Sequence, residues 1–173
     1  QKVKAYDLVP EVARRYAREM GALLQLDIEP VATLPEAVQG LDIVVTSGPI
    51  LKHPTPAIQA GWLAPGAFAS LVDFDSYWQG AALGEFDKLA TDDHGQMRYY
   101  RETGYFRETP EAYADLGELV AGKKPGRVSA SERTAAINLG LALDDMATAI
   151  LVYQRAKAMG IGRGDEVITA ANS

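Results

Sequence analysis

The chain has 173 residues, about one domain's worth, with 47% hydrophobic and 23% charged residues, the balance of an ordinary soluble globular protein. It has no cysteine, which excludes disulfides, thiolate zinc sites and a cysteine nucleophile, and no apolar run approaches the ~20 residues of a membrane helix. With 17 basic against 23 acidic residues, a formal charge of −6, and two widely separated histidines, His53 and His94, no nucleic-acid surface, histidine metal site or secretory signal is expected; what remains is an acidic domain of the cytoplasm.

Lys2 to Tyr6 alternates its side chains and predicts a strand stopped by Asp7. Pro10 suits the first turn of a helix, where its missing N–H costs nothing. Val12, Ala13, Tyr16, Ala17 and Met20 then recur at helical spacing, and Gly21 is placed to end the helix. Ile28 to Ala32 reads as a second strand, and Leu34 to Val38 as a short helix with Gly40 behind it. Leu41 to Thr46 is a near-continuous β-branched run, the pattern of a strand buried on both faces. A Gly/Pro-rich loop from Ser47 to Pro56 and a turn at Pro65-Gly66 lead to a fourth strand, Ala67 to about Val72. A fifth, weaker strand covers Lys88 to Thr91, ending at Asp92-Asp93, and Tyr113 to Ala121 reads as a helix closed by Gly122 and a basic stretch. Strands alternating with short helices and short loops predict βαβ units and a parallel sheet, an α/β fold.

The last long element is a helix in which Leu139, Leu143, Met146, Ile150 and Tyr153 step by four and three. Ala142, Ala149, Val152 and Ala156 widen that stripe, while Asp144, Gln154, Arg155 and Lys157 face elsewhere. It either packs on its own domain or leaves the sheet for a second domain or subunit. A nucleotide-binding sheet normally opens with a strand and a Gly-rich turn, and neither begins this chain. Gly160-Ile-Gly-Arg-Gly164 follows a helix, lacks the G-x-G-x-x-G spacing, and reads as a helix stop.

Several residues can carry chemistry. Asp7, at the end of the first strand, either accepts hydrogen bonds from ribose hydroxyls, where a carboxylate favours NAD over NADP, or caps the Pro10 helix. Thr46, Ser47 and Gly48 end the third strand, where ligands of open α/β sheets sit, or form an ordinary turn. Asp73 and Asp75 lie two apart at the end of the fourth strand; on one face they cannot both ionise cheaply, whereas in a loop they are merely solvated. Asp92-Asp93 and Asp144-Asp145 read as surface pairs. Asn138, Leu139 and Gly140 place an amide and a close backbone beside a ligand, or else Asn138 is a helix N-cap.

Taken together, D-I-V-V-T-S-G (Asp42 to Gly48), P-G-A-F-A-S-L-V-D-F-D (Pro65 to Asp75), E-L-V-A-G-K-K-P-G-R (Glu118 to Arg127) and N-L-G-L-A-L-D-D-M-A-T-A (Asn138 to Ala149) resemble the ornithine cyclodeaminase/mu-crystallin family. The resemblance covers nearly the whole chain. It implies a Rossmann-type nucleotide domain inserted in a second domain that binds substrate and dimerises. This chain looks like the later part only: residues 1–128 a Rossmann-type domain lacking its first strand and Gly-rich turn, and 129–173 a helical segment returning to the dimerisation domain. By the same resemblance Asp7 matches the ribose-binding acid, and Thr46, Ser47 and Gly48 the turn beside the cofactor. Asp75 matches the catalytic aspartate, and Asn138, Leu139 and Gly140 the stretch near the nicotinamide. Relatives usually carry glycines just before that aspartate; here Asp73 and Phe74 stand there, with Tyr77-Trp78 following, so a bulkier and more acidic pocket mouth is expected.

The implied reaction is hydride transfer from the α-carbon of an amino acid to NAD⁺, giving an imine, followed in the cyclodeaminases by ring closure with loss of ammonia. Alanine dehydrogenases and ketimine reductases of the family are the alternatives, as is a non-catalytic mu-crystallin-like binding protein or an inert fragment. A homodimer acting on a small amino acid or imine is expected, completed by a missing N-terminal segment.

Overall fold

The computed structural model describes residues 2–165. Its elements are β1 (Lys2–Ala5), α1 (Pro10–Leu24), β2 (Asp27–Pro30), α2 (Leu34–Val38), β3 (Ile43–Ser47), β4 (Phe68–Val72), α3 (Gly80–Leu83), β5 (Lys88–Thr91), α4 (His94–Glu102), β6 (Ala114–Asp115), α5 (Leu116–Val120), β7 (Thr134–Ile137) and α6 (Ala142–Ala158). All strand pairs are parallel. β1 pairs with β2, and the other five form a second sheet in the order β3-β4-β7-β5-β6. The expected α/β architecture with a parallel sheet is the one found.

Local chemistry fixes many of the ends. Pro10 opens α1. Before α2 the Glu36 carboxylate accepts from the Thr33 backbone N–H at 2.9 Å and from its hydroxyl at 2.8 Å. Asp93 caps α4 by accepting from Gln96 N–H, and Asp115 caps α5 by accepting from Glu118 N–H at 2.7 Å. Pro65-Gly66 turns the chain into β4, and glycine is required at 66 both by its φ of +79° and because a Cβ there would collide with the Ala130 carbonyl.

The register puts alternate residues on opposite faces of the five-stranded sheet. Val44, Ala69, Leu71, Leu89, Ala135 and Ile137 form the buried face. They belong to the core with Val38, Ile58, Leu63, Trp78, Ala82, Met97 and Phe106. The other face of β3 and β4 is open among the described residues: Ile43 is 63% and Val45 64% exposed. The expectation that this strand is buried on both faces is therefore corrected; apolar content marks which residues suit burial, and only the packing elements decide whether both faces are covered.

Three further expectations change. Gly21 lies inside α1, which runs on to Leu24 and stops at Gln25 in the left-handed conformation, φ +54°, with its N–H on Gly21 O. The segment from Tyr113 begins as strand β6 because Tyr113 N–H donates to Leu89 O at 2.7 Å and Ala114 pairs with Ala90, a tertiary pairing that outweighs local helical pattern. Asn138 does not cap a helix: Leu141 occupies that position, and Asn138 follows β7, a strand with too little pattern to stand out in the sequence. β7 nonetheless sits at the centre of the sheet.

The chain divides into two compact units, one up to Leu139 and one from Gly140 onward. The first takes in β7, beyond the boundary at residue 128 read from the sequence. Within the second, α6 carries acidic Asp144 and Asp145 in its first turn and basic Arg155 and Lys157 in its last, as the helix dipole favours. Gly160, at φ +82°, follows its C-cap residue Met159. None of its side chains is buried. Residues 166–173, the end of the expected C-terminal segment, lie outside the described residues.

Candidate active site

Register places Thr46, Leu71, Ile137 and Thr91 side by side at the carboxyl ends of β3, β4, β7 and β5. The residues that follow line one edge of the sheet: Ser47 at the end of β3 and Gly48 after it, Asp73 after β4, Asn138 and Leu139 after β7, Asp92 after β5. This edge is where parallel α/β sheets take their ligands.

The buried carboxylate of Asp73 organises the edge. It is fully buried, and its Oδ1 accepts from the Thr46 hydroxyl at 2.5 Å while Oδ2 accepts from Tyr77 N–H at 2.9 Å. Trp78 Nε1 donates to the same Thr46 oxygen at 3.0 Å. Burial raises the Asp73 carboxyl above the usual aspartate range, against the lowering effect of these donors. Asp73 thus ties the end of β3 to the segment after β4. The expected acidic pocket mouth is not what forms: the carboxylate points into the protein, because two donors and a tryptophan are offered there.

Phe74 is likewise absorbed. It adopts φ +65°, a conformation glycine takes more readily, and its ring packs edge-on against Tyr100 and Tyr105 with centroids at 4.7 and 5.1 Å. Asp75 then turns toward the neighbouring loop, its Oδ2 accepting from Phe106 N–H at 2.9 Å. Its Oδ1 is buried without a hydrogen-bond donor among the described residues. An acceptor held this way costs about 1–3 kcal/mol until a donor reaches it.

Asp7 follows β1 and uses Oδ1 to accept from Val9 N–H at 2.8 Å, an Asx-type turn ahead of α1. Asp7 is not the cap of the Pro10 helix: Val9 holds the N-cap position of α1 and no side chain caps it. Asn138 bridges β7 to β4: its side-chain amide donates to Ser70 Oγ at 3.1 Å and to the Leu71 carbonyl at 3.3 Å. Leu139 N–H donates to Asp92 Oδ2 at 2.8 Å. Asp92, read from the sequence as a surface residue, belongs to this edge. Gly140, at φ +82°, opens the second unit, so the first unit brings together Thr46, Ser47, Gly48, Asp75, Asn138 and Leu139 of the expected set but not Gly140.

Tyr77 is the residue that sequence reading undervalued. Its carbonyl accepts from both Ala57 N–H and Ile58 N–H at 2.9 Å, so with Asp73 on its N–H the backbone is held on both sides. Its phenol lies directly on Gly48, where a Cβ would collide with the hydroxyl. Burial, then the charges of Asp73 and Asp7, raise the phenol above the ordinary tyrosine range. The only signal in the sequence was an aromatic pair after the aspartates.

Elsewhere, His94, Asp115 and Glu118 offer ligand atoms within 4.8 Å of one another. In the same cluster Asp115 Oδ1 and Glu118 Oε2 form the reciprocal cap of α5, and Lys124 Nζ lies 3.1 Å from Glu118 Oε2. Among the described residues no helix is long and apolar enough to cross a membrane.

Comparison with known proteins places this geometry. The chain is 28% identical to an alanine dehydrogenase of Archaeoglobus fulgidus over 93% of its own length and 51% of that protein's. It superposes on the Δ(1)-pyrroline-2-carboxylate reductase of Thermococcus litoralis, solved with NADH and L-proline, with a TM-score of 0.79 and 28% identity, covering 95% of this chain and 53% of that one. The iminosuccinate reductase of Paracoccus denitrificans, solved with NAD⁺, gives a TM-score of 0.75 and 25% identity over 96% of this chain and 52% of that one. The chain therefore spans about half the length of these relatives. The model of the ornithine cyclodeaminase/mu-crystallin family matches residues 1–160, and the chain belongs to that family.

Proposed function

We propose that the chain is part of an NAD-dependent enzyme of amino-acid metabolism that moves a hydride between the nicotinamide and the α-carbon of an amino acid, the oxidised partner being the imine. The observation that carries this reading is the placement of the Thr46–Gly48 turn, the Asp73–Asp75 segment and Asn138 at the carboxyl ends of neighbouring parallel strands, in a chain of this family that also carries Asp7 at the carboxyl end of β1. The relatives' names, alanine dehydrogenase, pyrroline-2-carboxylate reductase and iminosuccinate reductase, have an amino acid or its imine in common.

The residues fit a dinucleotide on their donor and acceptor chemistry. Asp7 Oδ2 accepts from ribose hydroxyls and repels a 2′-phosphate, which favours NAD over NADP. Gly48 leaves the end of β3 open to the Tyr77 phenol, and Asn138 and Leu139 face the nicotinamide end. When bound, the nicotinamide supplies the hydride acceptor. Asp75 is the proton acceptor: oxidising the α-carbon of an amine removes a hydride from carbon and a proton from nitrogen, and the unsatisfied Oδ1 takes the N–H of the substrate. The free edges of β1 and β3, each paired on one side only among the described residues, are where a preceding strand with a Gly-rich phosphate-binding turn pairs. The exposed apolar side chains of α6, Met146, Ile150 and Tyr153 among them, form part of a homodimer interface. A cytoplasmic location fits the lack of cysteine.

The ornithine cyclodeaminase reaction is one outcome of this first step; oxidative deamination of alanine and reduction of a cyclic imine are the others. The test follows NADH absorbance and ammonia release with ornithine, alanine and cyclic imines, beside Asp75→Asn. Ring closure from ornithine with no net NADH identifies a cyclodeaminase, net NADH from alanine a dehydrogenase, and NADH consumption by an imine a reductase. Turnover unaffected by Asp75→Asn removes Asp75 from its role, and no turnover with any of them leaves a binding protein of the mu-crystallin kind.

A further inference from the structure

Tyr77 has no part in the scheme above, yet its hydroxyl occupies an unusual place. The ring reaches back from the segment after β4 to lie on Gly48 at the end of β3, and the Asp7 carboxylate is close enough to act on it. The phenol has no hydrogen-bond partner among the described residues and is only half buried, whereas the residue's backbone is fixed at both N–H and carbonyl. A rigid backbone carrying an unpaired polar tip is the arrangement of a side chain preorganised for a ligand. Glycine at position 48 follows from it, since any side chain there would push the ring away.

We infer that Tyr77 is a further cofactor-contacting residue: its hydroxyl, seated on Gly48 at the end of β3, donates a hydrogen bond to the adenosine half of the dinucleotide, the half assigned to Asp7 above, and Asp73 positions it by holding its backbone. This rests on the cofactor site proposed above. The hydroxyl stays protonated throughout the physiological range, because burial and two neighbouring carboxylates disfavour the phenolate. A donor and an acceptor together suit a ribose, whose hydroxyls both give and take hydrogen bonds. Asp7 accepts from one hydroxyl, and Tyr77 donates to a hydroxyl oxygen.

The test is calorimetric titration of NADH, ADP-ribose and nicotinamide mononucleotide into the full gene product. The proteins compared are wild type, Asp7→Ala, Tyr77→Phe, Gly48→Ala and the double variant Gly48→Ala/Tyr77→Ala. Tyr77→Phe is expected to weaken NADH and ADP-ribose by about five- to tenfold, the effect of one neutral hydrogen bond, and to leave the mononucleotide unchanged. Gly48→Ala is expected to weaken both by displacing the ring, and to add nothing in a Tyr77→Ala background. Tyr77→Phe keeps the ring and the backbone contacts, so it decides the question if Gly48→Ala does not fold. If Asp7→Ala weakens ADP-ribose while Tyr77→Phe binds as wild type, the role of Tyr77 is overturned and the cofactor site stands. If neither substitution changes ADP-ribose binding, the site itself is refuted and the inference with it. Loss confined to the mononucleotide places the phenol on the other half and also overturns the assignment.

Discussion

The carboxyl edge of the five-stranded sheet and the helix α6 treat their side chains in opposite ways. At the sheet edge polar groups are drawn inward and matched: Asp73 to Thr46 and Tyr77, Asn138 to Ser70, Asp92 to Leu139. Along α6 apolar groups are left outward, with Leu143 72% and Tyr153 64% exposed. The edge is satisfied by contacts between segments far apart in sequence, whereas α6 is specified by local features: helical spacing, charges suited to its dipole and a glycine beyond its end. Burial of polar groups needs a partner already in place, so it reports a finished tertiary arrangement. Local helix formation needs none.

Substitutions separate the two regions. The largest effect is expected at Phe106, which is buried, packs against Phe74 and gives its N–H to Asp75. Phe106→Ala should lower unfolding free energy by about 3–5 kcal/mol in a denaturant titration, whereas Leu143→Ala on α6 should change it by less than about 1 kcal/mol. Asp73→Ala comes next, since it strands the Thr46 hydroxyl and the Tyr77 N–H inside the protein. A loss of about 2–4 kcal/mol in the same titration is expected, and a loss below about 0.5 kcal/mol would mean water replaces the carboxylate.

A smaller effect lies in the pH dependence of the same group. Burial holds the Asp73 carboxyl above 3.8, the ordinary value of an aspartate, so the folded state binds the proton more readily than the unfolded chain. Its stabilising contribution is therefore fully present below 3.8 and is lost as pH rises through the raised folded-state value. Relative to Asp73→Asn, the wild type should gain stability as neutral solution is acidified through that window, read as the difference between thermal midpoints. Equal slopes would show that the carboxyl is not desolvated. Subtracting the variant removes the exposed carboxylates of Glu11, Glu29 and Glu36, which are lowered by neighbouring hydrogen bonds or charges and act in the opposite direction. The smallest expected change in stability is at α6: on the proposed homodimer, Ile150→Asp shifts the molecule to the monomer in light scattering, with unfolding of the first unit altered by less than about 0.5 kcal/mol. An unchanged scattering mass would remove α6 from the interface.

Much of the fold was legible because the strong signals were local. Leu34–Val38 appears as a helix, Lys88–Thr91 as a strand, and Asp73 and Asp75 stand at the end of a strand, all as spacing and turn residues indicated. β7 was not legible, because Thr134–Ile137 is short and its position at the sheet centre comes from pairing with β4 and β5. The site shows the same division. The sequence singled out Thr46, Asp73, Asp75 and Asn138, but it offered no means of telling which carboxylate turns inward or that Tyr77 reaches Gly48.

What the sequence by itself determined was the family, the alternation of strands and helices, and the residue types available at strand ends. These depend on the periodicity of side chains along the backbone and on motifs read in order. The tertiary structure alone decided that one face of β3 is covered and the other open, that Asp73 is a buried tie and not a pocket wall, and that Asp92 belongs to the carboxyl edge of the sheet. Each of these depends on which distant segment arrives beside the residue, and desolvation and hydrogen-bond pairing take their values only once that neighbour is there.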